Sequence, residues 1–210
     1  MSLTSRSWSI FLGAALMLLA SGCRGTRPVP MMGSATITSD FDTYVLRRVG
    51  VLPFAELNTE PMAAHEIGAL ETMFHSEFAM ATPYDLVPLR REDLAEMMAP
   101  DPFRKGWYDP STLSELRQRY RLDAVLVGTI TSRRVVQPQV LGTQLDLVSC
   151  ETGQTIWSSD LLLDASKEST REAIDIWAVH RLGEEHGARI ALLSPKKFAH
   201  FAAYQMARLL

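Results

Sequence analysis

The hydrophobic positions of this 210-residue chain change period several times, and each change marks an element. Val49-Gly50-Val51-Leu52-Pro53-Phe54 is a short apolar run closed by proline, which predicts a buried central strand over residues 44–54. Behind it Ala64, Ile67, Leu70, Phe74, Phe78 and Ala81 recur at spacings of three and four, predicting an amphipathic helix over 62–81. Residues 84–89 read as a second short strand, and 90–98 as a short helix with Leu94, Met97 and Met98 turned inward. Asp109-Pro110-Ser111-Thr112 opens another helix: an aspartate cap, proline in the first turn, and Thr112 and Glu115 at capping-box spacing. Its apolar side is Leu113, Leu116 and Tyr120.

Residues 123–130 form a second strongly apolar run, which continues through Val135 and Val136 and breaks at Pro138. Residues 144–150 and 155–163 flank the turn Glu151-Thr152-Gly153-Gln154 and predict a β-hairpin. Helical spacing returns over 167–182, a short apolar stretch over 189–193 reads as a further short strand, and a closing helix runs over 195–210. Helices interleaved with early strands and a late meander predict an α/β fold: a mixed sheet sandwiched by helices in the order β-α-β-α-α-β-β-β-α.

The amino terminus follows a different rule. Arg6 precedes an apolar run over residues 8–20, too short to span a bilayer, which takes about 20 apolar residues. A basic start, an apolar middle and small residues before a break describe a secretory signal peptide over 1–22. The break, Leu19-Ala20-Ser21-Gly22-Cys23, resembles a bacterial lipobox, with Ala20 where leucine is commoner. That resemblance implies cleavage before Cys23, lipidation of its thiol, and acylation of the new amino terminus. Cleavage removes Arg6, the one charge in residues 1–22, and moves the net charge from −3 to −4. Arg24, in place of an aspartate, implies the periplasmic face of the outer membrane. Residues 24–42, rich in Pro, Gly, Ser and Thr, read as a semi-extended tether. The expected organisation is therefore a signal peptide (1–22), a lipidated cysteine and tether (23–42), an α/β domain (43–166) and a helical extension packed on it (167–210).

Composition narrows the function. The chain is 47% hydrophobic and 21% charged, with no basic excess to suggest nucleic acid. The two cysteines, Cys23 and Cys150, make neither a disulfide framework nor a metal pattern, and Cys150 reads as a buried small hydrophobe. His65-Glu66 lacks the second histidine of a zinc-protease helix because Ala69 stands there, and Glu71 and His75 read as a solvated pair. Asp40 and Asp42, like Glu184 and Glu185, are adjacent acids of loops. No phosphate loop, dinucleotide fingerprint or nucleophile elbow occurs, so no catalytic residue, metal or cofactor is expected. Phe103, Trp107 and Tyr108 stand in a Pro/Gly loop over 101–109, either as a partner-binding surface or as packing over a sheet edge.

Four segments carry a family resemblance: Val49-Gly50-Val51-Leu52-Pro53-Phe54; Tyr84-Asp85-Leu86-Val87-Pro88-Leu89; residues 122–130; and residues 145–158 around Glu151-Thr152-Gly153. Together they resemble bacterial envelope domains that include the curli-secretion lipoprotein CsgG, the penicillin-binding-protein activator LpoB, the amino-terminal domain of TolB and flagellar lipoproteins. The resemblance covers residues 47–163 and implies an anticodon-binding-domain-like fold that binds other proteins and carries no enzyme activity. Arg121-Leu122 departs from the family where glycine is usual before the aspartate, here Asp123. The expectation is an outer-membrane lipoprotein acting as an assembly or activator factor on an envelope protein, self-association included. A CsgG-like channel subunit and an LpoB-type activator are the alternatives. For a channel, residues 129–147 would have to cross the membrane, which Arg133-Arg134 and Pro138 disfavour. For an enzyme, Asp123, Glu151 and His180 are the side chains to test.

Overall fold

The computed structural model describes residues 27–57, 62–95, 109–182 and 187–210. Cys23, Met97, Met98, Phe103, Trp107, Tyr108, Glu184 and Glu185 lie outside the described residues. One mixed sheet holds seven strands: β1 (Ser34–Ile37), β2 (Arg48–Val51), β3 (Ala55–Glu56), β4 (Asp85–Pro88), β5 (Ala124–Arg134), β6 (Val140–Ser149) and β7 (Thr155–Asp164). Six α-helices accompany it among the described residues: α1 (Ala64–Ala81), α2 (Arg91–Leu94), α3 (Pro110–Tyr120), α4 (Glu168–Leu182), α5 (Gly187–Leu193) and α6 (Pro195–Ala207). No helix among the described residues is long and apolar enough to cross a membrane.

Strand order is β1-β7-β6-β5-β2-β4, and β3 carries the line of β2 past Pro53 to pair with the far half of β5. β2 is parallel to both of its neighbours, β4 and β5, while β5, β6 and β7 form an antiparallel meander. The chain steps from β2 outward to β4 and then back across β2 to β5. Parallel crossovers are right-handed, so two steps in opposite directions must run over opposite faces. The two buried clusters follow that rule. One face packs α1, α4 and α6 on Val49, Leu126, Ile130, Leu145 and Trp157. The other packs α2 and α3 on Leu52, Val125, Val127 and Val148.

Local chemistry explains the elements. Phe54 lies flat over Gly128, where an added Cβ would come within 2.3 Å of its ring, so that strand position has room only for glycine. Asp109 caps α3 by accepting from the Thr112 amide at 3.0 Å, which makes Thr112 part of the first turn and not a cap itself. α3 ends on Arg121 in the left-handed region at φ 56°, the place where the family resemblance leads one to expect glycine. Gly153 takes the same region in the β6–β7 turn. Cys150 is buried, and burial pushes its thiol up to about 12.

Four expectations are corrected. The strand predicted over 44–54 starts only at Arg48, after a 3-10 turn at Phe41–Thr43. Part of the stretch read as tether is β1, which pairs antiparallel with β7; all four of its residues are exposed, so it carries no hydrophobic signal. Residues 189–193 are not strand-like but belong to α5, followed directly by the Ser194 cap of α6. Glu71 and His75 are not a solvated pair: Glu71 accepts from the Phe54 amide at 2.8 Å and faces Arg91, while His75 Nε2 approaches the Leu86 carbonyl at 3.4 Å.

Candidate functional site

Open α/β sheets commonly bind ligands outside the carboxyl ends of parallel strands, where successive connections diverge to opposite faces. Here that place lies between the ends of β2 and β4, and an ionic plug occupies it. Arg91 of α2 donates to the Phe54 carbonyl at 2.7 Å and stands 3.6 Å from Glu71 of α1. Glu71 in turn holds the Phe54 amide. An apolar groove lies elsewhere.

A cavity of about 340 Å³ opens between the first turns of α1, the first turns of α6 and the β5–β6 hairpin. Its floor is apolar: Met62, Leu70, Met73, Leu141, Phe198 and Ala199. Each wall has a local cause. α1 turns Leu70, Phe74 and Phe78 into the core and leaves Ala69 and Met73 to face the cleft. α6 begins at Ser194, whose hydroxyl accepts from the Lys197 amide at 3.4 Å, and Pro195 fixes the first turn. Gln139 secures the hairpin by donating to the Leu192 carbonyl at 2.7 Å.

The rim depends on a register shift. β5 and β6 pair without a break to Ile130↔Thr143 and resume at Ser132↔Gly142. The extra residue turns Arg133 to the helix face, opposite Leu141, where it meets Glu66 of α1 at 3.4 Å. Arg134 donates from Nε to the Pro138 carbonyl at 2.7 Å. With Lys196 and His65, the rim presents three permanent cations and a histidine against one carboxylate, Glu66. An apolar floor with a cationic rim suits an apolar segment that carries acidic flanks.

A second crevice of about 530 Å³ is polar and brings Asp123 and Glu151 together beside Arg47 and Arg117. Asp123 is engaged there: its Oδ2 accepts from the amides of both Arg47 and Arg48 at 2.8 Å and so fixes the entry of β2. Glu151 stands 3.7 Å from Arg117 on the surface. His180 lies apart from both, its Nε2 3.0 Å from the Arg27 carbonyl. On the hairpin face that also carries Val148, the buried Asp146 accepts from Ser158 Oγ at 2.5 Å and from the Gln144 amide at 3.2 Å. No group of three or more metal-binding side chains occurs among the described residues.

One cluster escapes sequence reasoning because Glu77 stands more than 100 residues from its partners. Glu77 of α1, 4% exposed, accepts from Arg181 of α4 at 3.0 Å and faces His200 Nε2 of α6 at 2.7 Å. Trp177 stands edge-on to His200 at 5.4 Å, and Arg181 and Arg208 both lie 5.4 Å from the Tyr204 ring centre. Burial pushes the Glu77 carboxyl up, but the hydrogen bond from His200 and the charges of Arg181 and His200 outweigh it and hold it below its ordinary 4.5. Arginine beside histidine on a buried glutamate fastens α4 and α6 to α1.

No protein-family model matches the chain, and no curated protein matches its sequence. Solved structures resemble it at low identity. The PelC dodecamer from Paraburkholderia phytofirmans is 16% identical over 68% of this chain and 89% of that one, with a TM-score of 0.43. Lipoprotein GNA1162 from Neisseria meningitidis is 14% identical over 65% and 96%, with a TM-score of 0.42. The LpoB carboxyl-terminal domain from Escherichia coli is 13% identical over 59% and 92%, with a TM-score of 0.38.

Proposed function

We propose that this chain is an outer-membrane lipoprotein, anchored through acylated Cys23, that binds an envelope protein and catalyses nothing itself. The lipobox-like Leu19-Ala20-Ser21-Gly22-Cys23 supports the anchor, and the four strand motifs support a domain of the CsgG, LpoB and TolB amino-terminal kind. The observation that carries the binding role is the groove between α1, α6 and the β5–β6 hairpin, with its apolar floor and the cations Arg133, Arg134 and Lys196 on its rim. Its occupant is a partner segment with apolar side chains and acidic flanks. Weighing against a channel, β5 and β6 are paired along both edges and bury Ile130, Leu141 and Leu145 in the domain core, so a membrane-crossing hairpin would have to leave that core.

A photo-reactive residue placed at exposed Ala69 tests the groove in intact cells. It should join one envelope protein through an apolar peptide flanked by Asp or Glu. Met73→Trp, beside the probe, should fill the cleft and abolish the adduct. Lys196→Glu combined with Arg134→Glu should weaken binding about tenfold, roughly 1.4 kcal/mol, at an unchanged melting temperature. Equal adducts from a probe at Arg47, in the other crevice, or adducts indifferent to all three substitutions, would remove the groove from the binding site.

A further inference from the structure

We infer that the folded domain is held against the bilayer and does not hang from a long tether. The inference rests on the lipidation of Cys23 proposed above, and it follows from where the chain becomes fastened. Residues 24–42, taken as an extended tether of 19 residues, would reach roughly 60 Å at about 3.1 Å per residue. From Arg27 onward that stretch is bound to the domain at four successive points.

Arg27 pairs through Nη1 with Glu172 of α4 at 2.8 Å, and its carbonyl accepts from His180 Nε2 at 3.0 Å. Val29 is buried in the main core. Gln205 of α6, fully buried, donates from Nε2 to the Pro30 carbonyl at 3.0 Å and accepts from the Met32 amide at 2.9 Å. One side-chain amide thus serves both a donor and an acceptor of the passing backbone, and losing that segment would strand its own buried polar atoms. Residues 34–37 then pair with β7 as β1.

Only four residue steps separate Cys23 from Arg27, a span of about 14 Å at full extension. The exposed side of α4 around Glu172, Val179 and His180 is therefore apposed to the lipid surface. A domain of this size is about 40 Å across. Its groove then lies within roughly 55 Å of the membrane, and a partner must present its acidic apolar segment inside that layer.

The test uses the full acylated protein in phospholipid vesicles. A donor fluorophore at Val179→Cys, an exposed position, is measured against an acceptor lipid; the native thiol, Cys150, is buried. Strong transfer is expected. A 15-residue Gly/Ser insertion between Gly25 and Thr26 should add roughly 20 Å to the mean separation and abolish most of the transfer, leaving the melting curve unchanged. Proteinase K should spare residues 27–37 in both proteins. Mass spectrometry that finds Cys23 unmodified would sink the lipoprotein reading and this inference with it. Modified Cys23 with weak transfer that the insertion does not alter, or rapid cleavage within 27–37, would overturn the inference alone.

Discussion

Glu77 is the residue whose surroundings say most about stability. It is nearly inaccessible, yet it carries its charge because Arg181 and His200 reach it from two other helices. A carboxyl held below its ordinary value stabilises the fold fully above its unfolded value, near 4.5, and that contribution disappears as pH falls through the folded value. Glu77→Ala leaves Arg181 and His200 without their acceptor and should cost about 1–2 kcal/mol at pH 7, since both partners still reach solvent; Glu77→Gln keeps an acceptor and should cost less. Urea denaturation at pH 7 and again below pH 4 checks both. The gap between wild type and Glu77→Gln should narrow at the lower pH, and a gap independent of pH would mean that the carboxylate charge contributes nothing. Nothing in the sequence marks Glu77, because a lone glutamate in a helical pattern reads as a solvated position. Its neighbours are supplied by tertiary structure alone.

Elements with strong periodicity were legible from the chain, and those that depend on pairing were not. α1 follows its three-and-four spacing, and β5 follows an unbroken apolar run whose two faces meet two different helical layers. β1 was illegible because Ser34, Ala35, Thr36 and Ile37 are all exposed and are held by backbone bonds to β7. The groove was illegible for a related reason: the register shift after Ile130 decides which way Arg133 points, and no local residue signals it. Asp123 shows how a candidate catalytic acid becomes an element-level device. Its carboxylate gathers the first two amides at the entry of β2, and its own amide bonds the Arg48 carbonyl at 2.9 Å. Asp123→Ala should therefore cost about 1 kcal/mol and lower the melting temperature by about 2–4 °C. Any loss of cellular function should track that loss of stability. Lost function at full stability would return Asp123 to a chemical role.

At the scale of the molecule, the question is whether residues 167–210 are an addition to a finished domain or part of its core. α1 reaches the sheet face that carries Leu145, Leu147, Trp157, Leu161 and Leu163 through Phe78, edge-on to Trp157 at 6.4 Å. The rest of that layer is α4 and α6, which bury Trp177, Phe198, Phe201 and Met206 almost completely. At about 1.5–3 kcal/mol for each large apolar side chain, those four represent roughly 6–12 kcal/mol, comparable to the whole stability of an ordinary domain. Trp157 also donates its indole N–H to the Leu209 carbonyl at 3.0 Å, so the end of the chain satisfies a polar atom of a buried side chain on β7. Truncation after Ser166 would bare this face and release the buried side of Val29 and β1 together, since Gln205 and Leu209 fasten that end of the chain. The truncated protein should show no cooperative thermal transition and no fixed near-ultraviolet signal from Trp157, whereas the chain from Arg27 to Leu210 should melt as one unit. A cooperative melt of the truncated protein would make the carboxyl-terminal helices dispensable and shift the search for their role to partner binding.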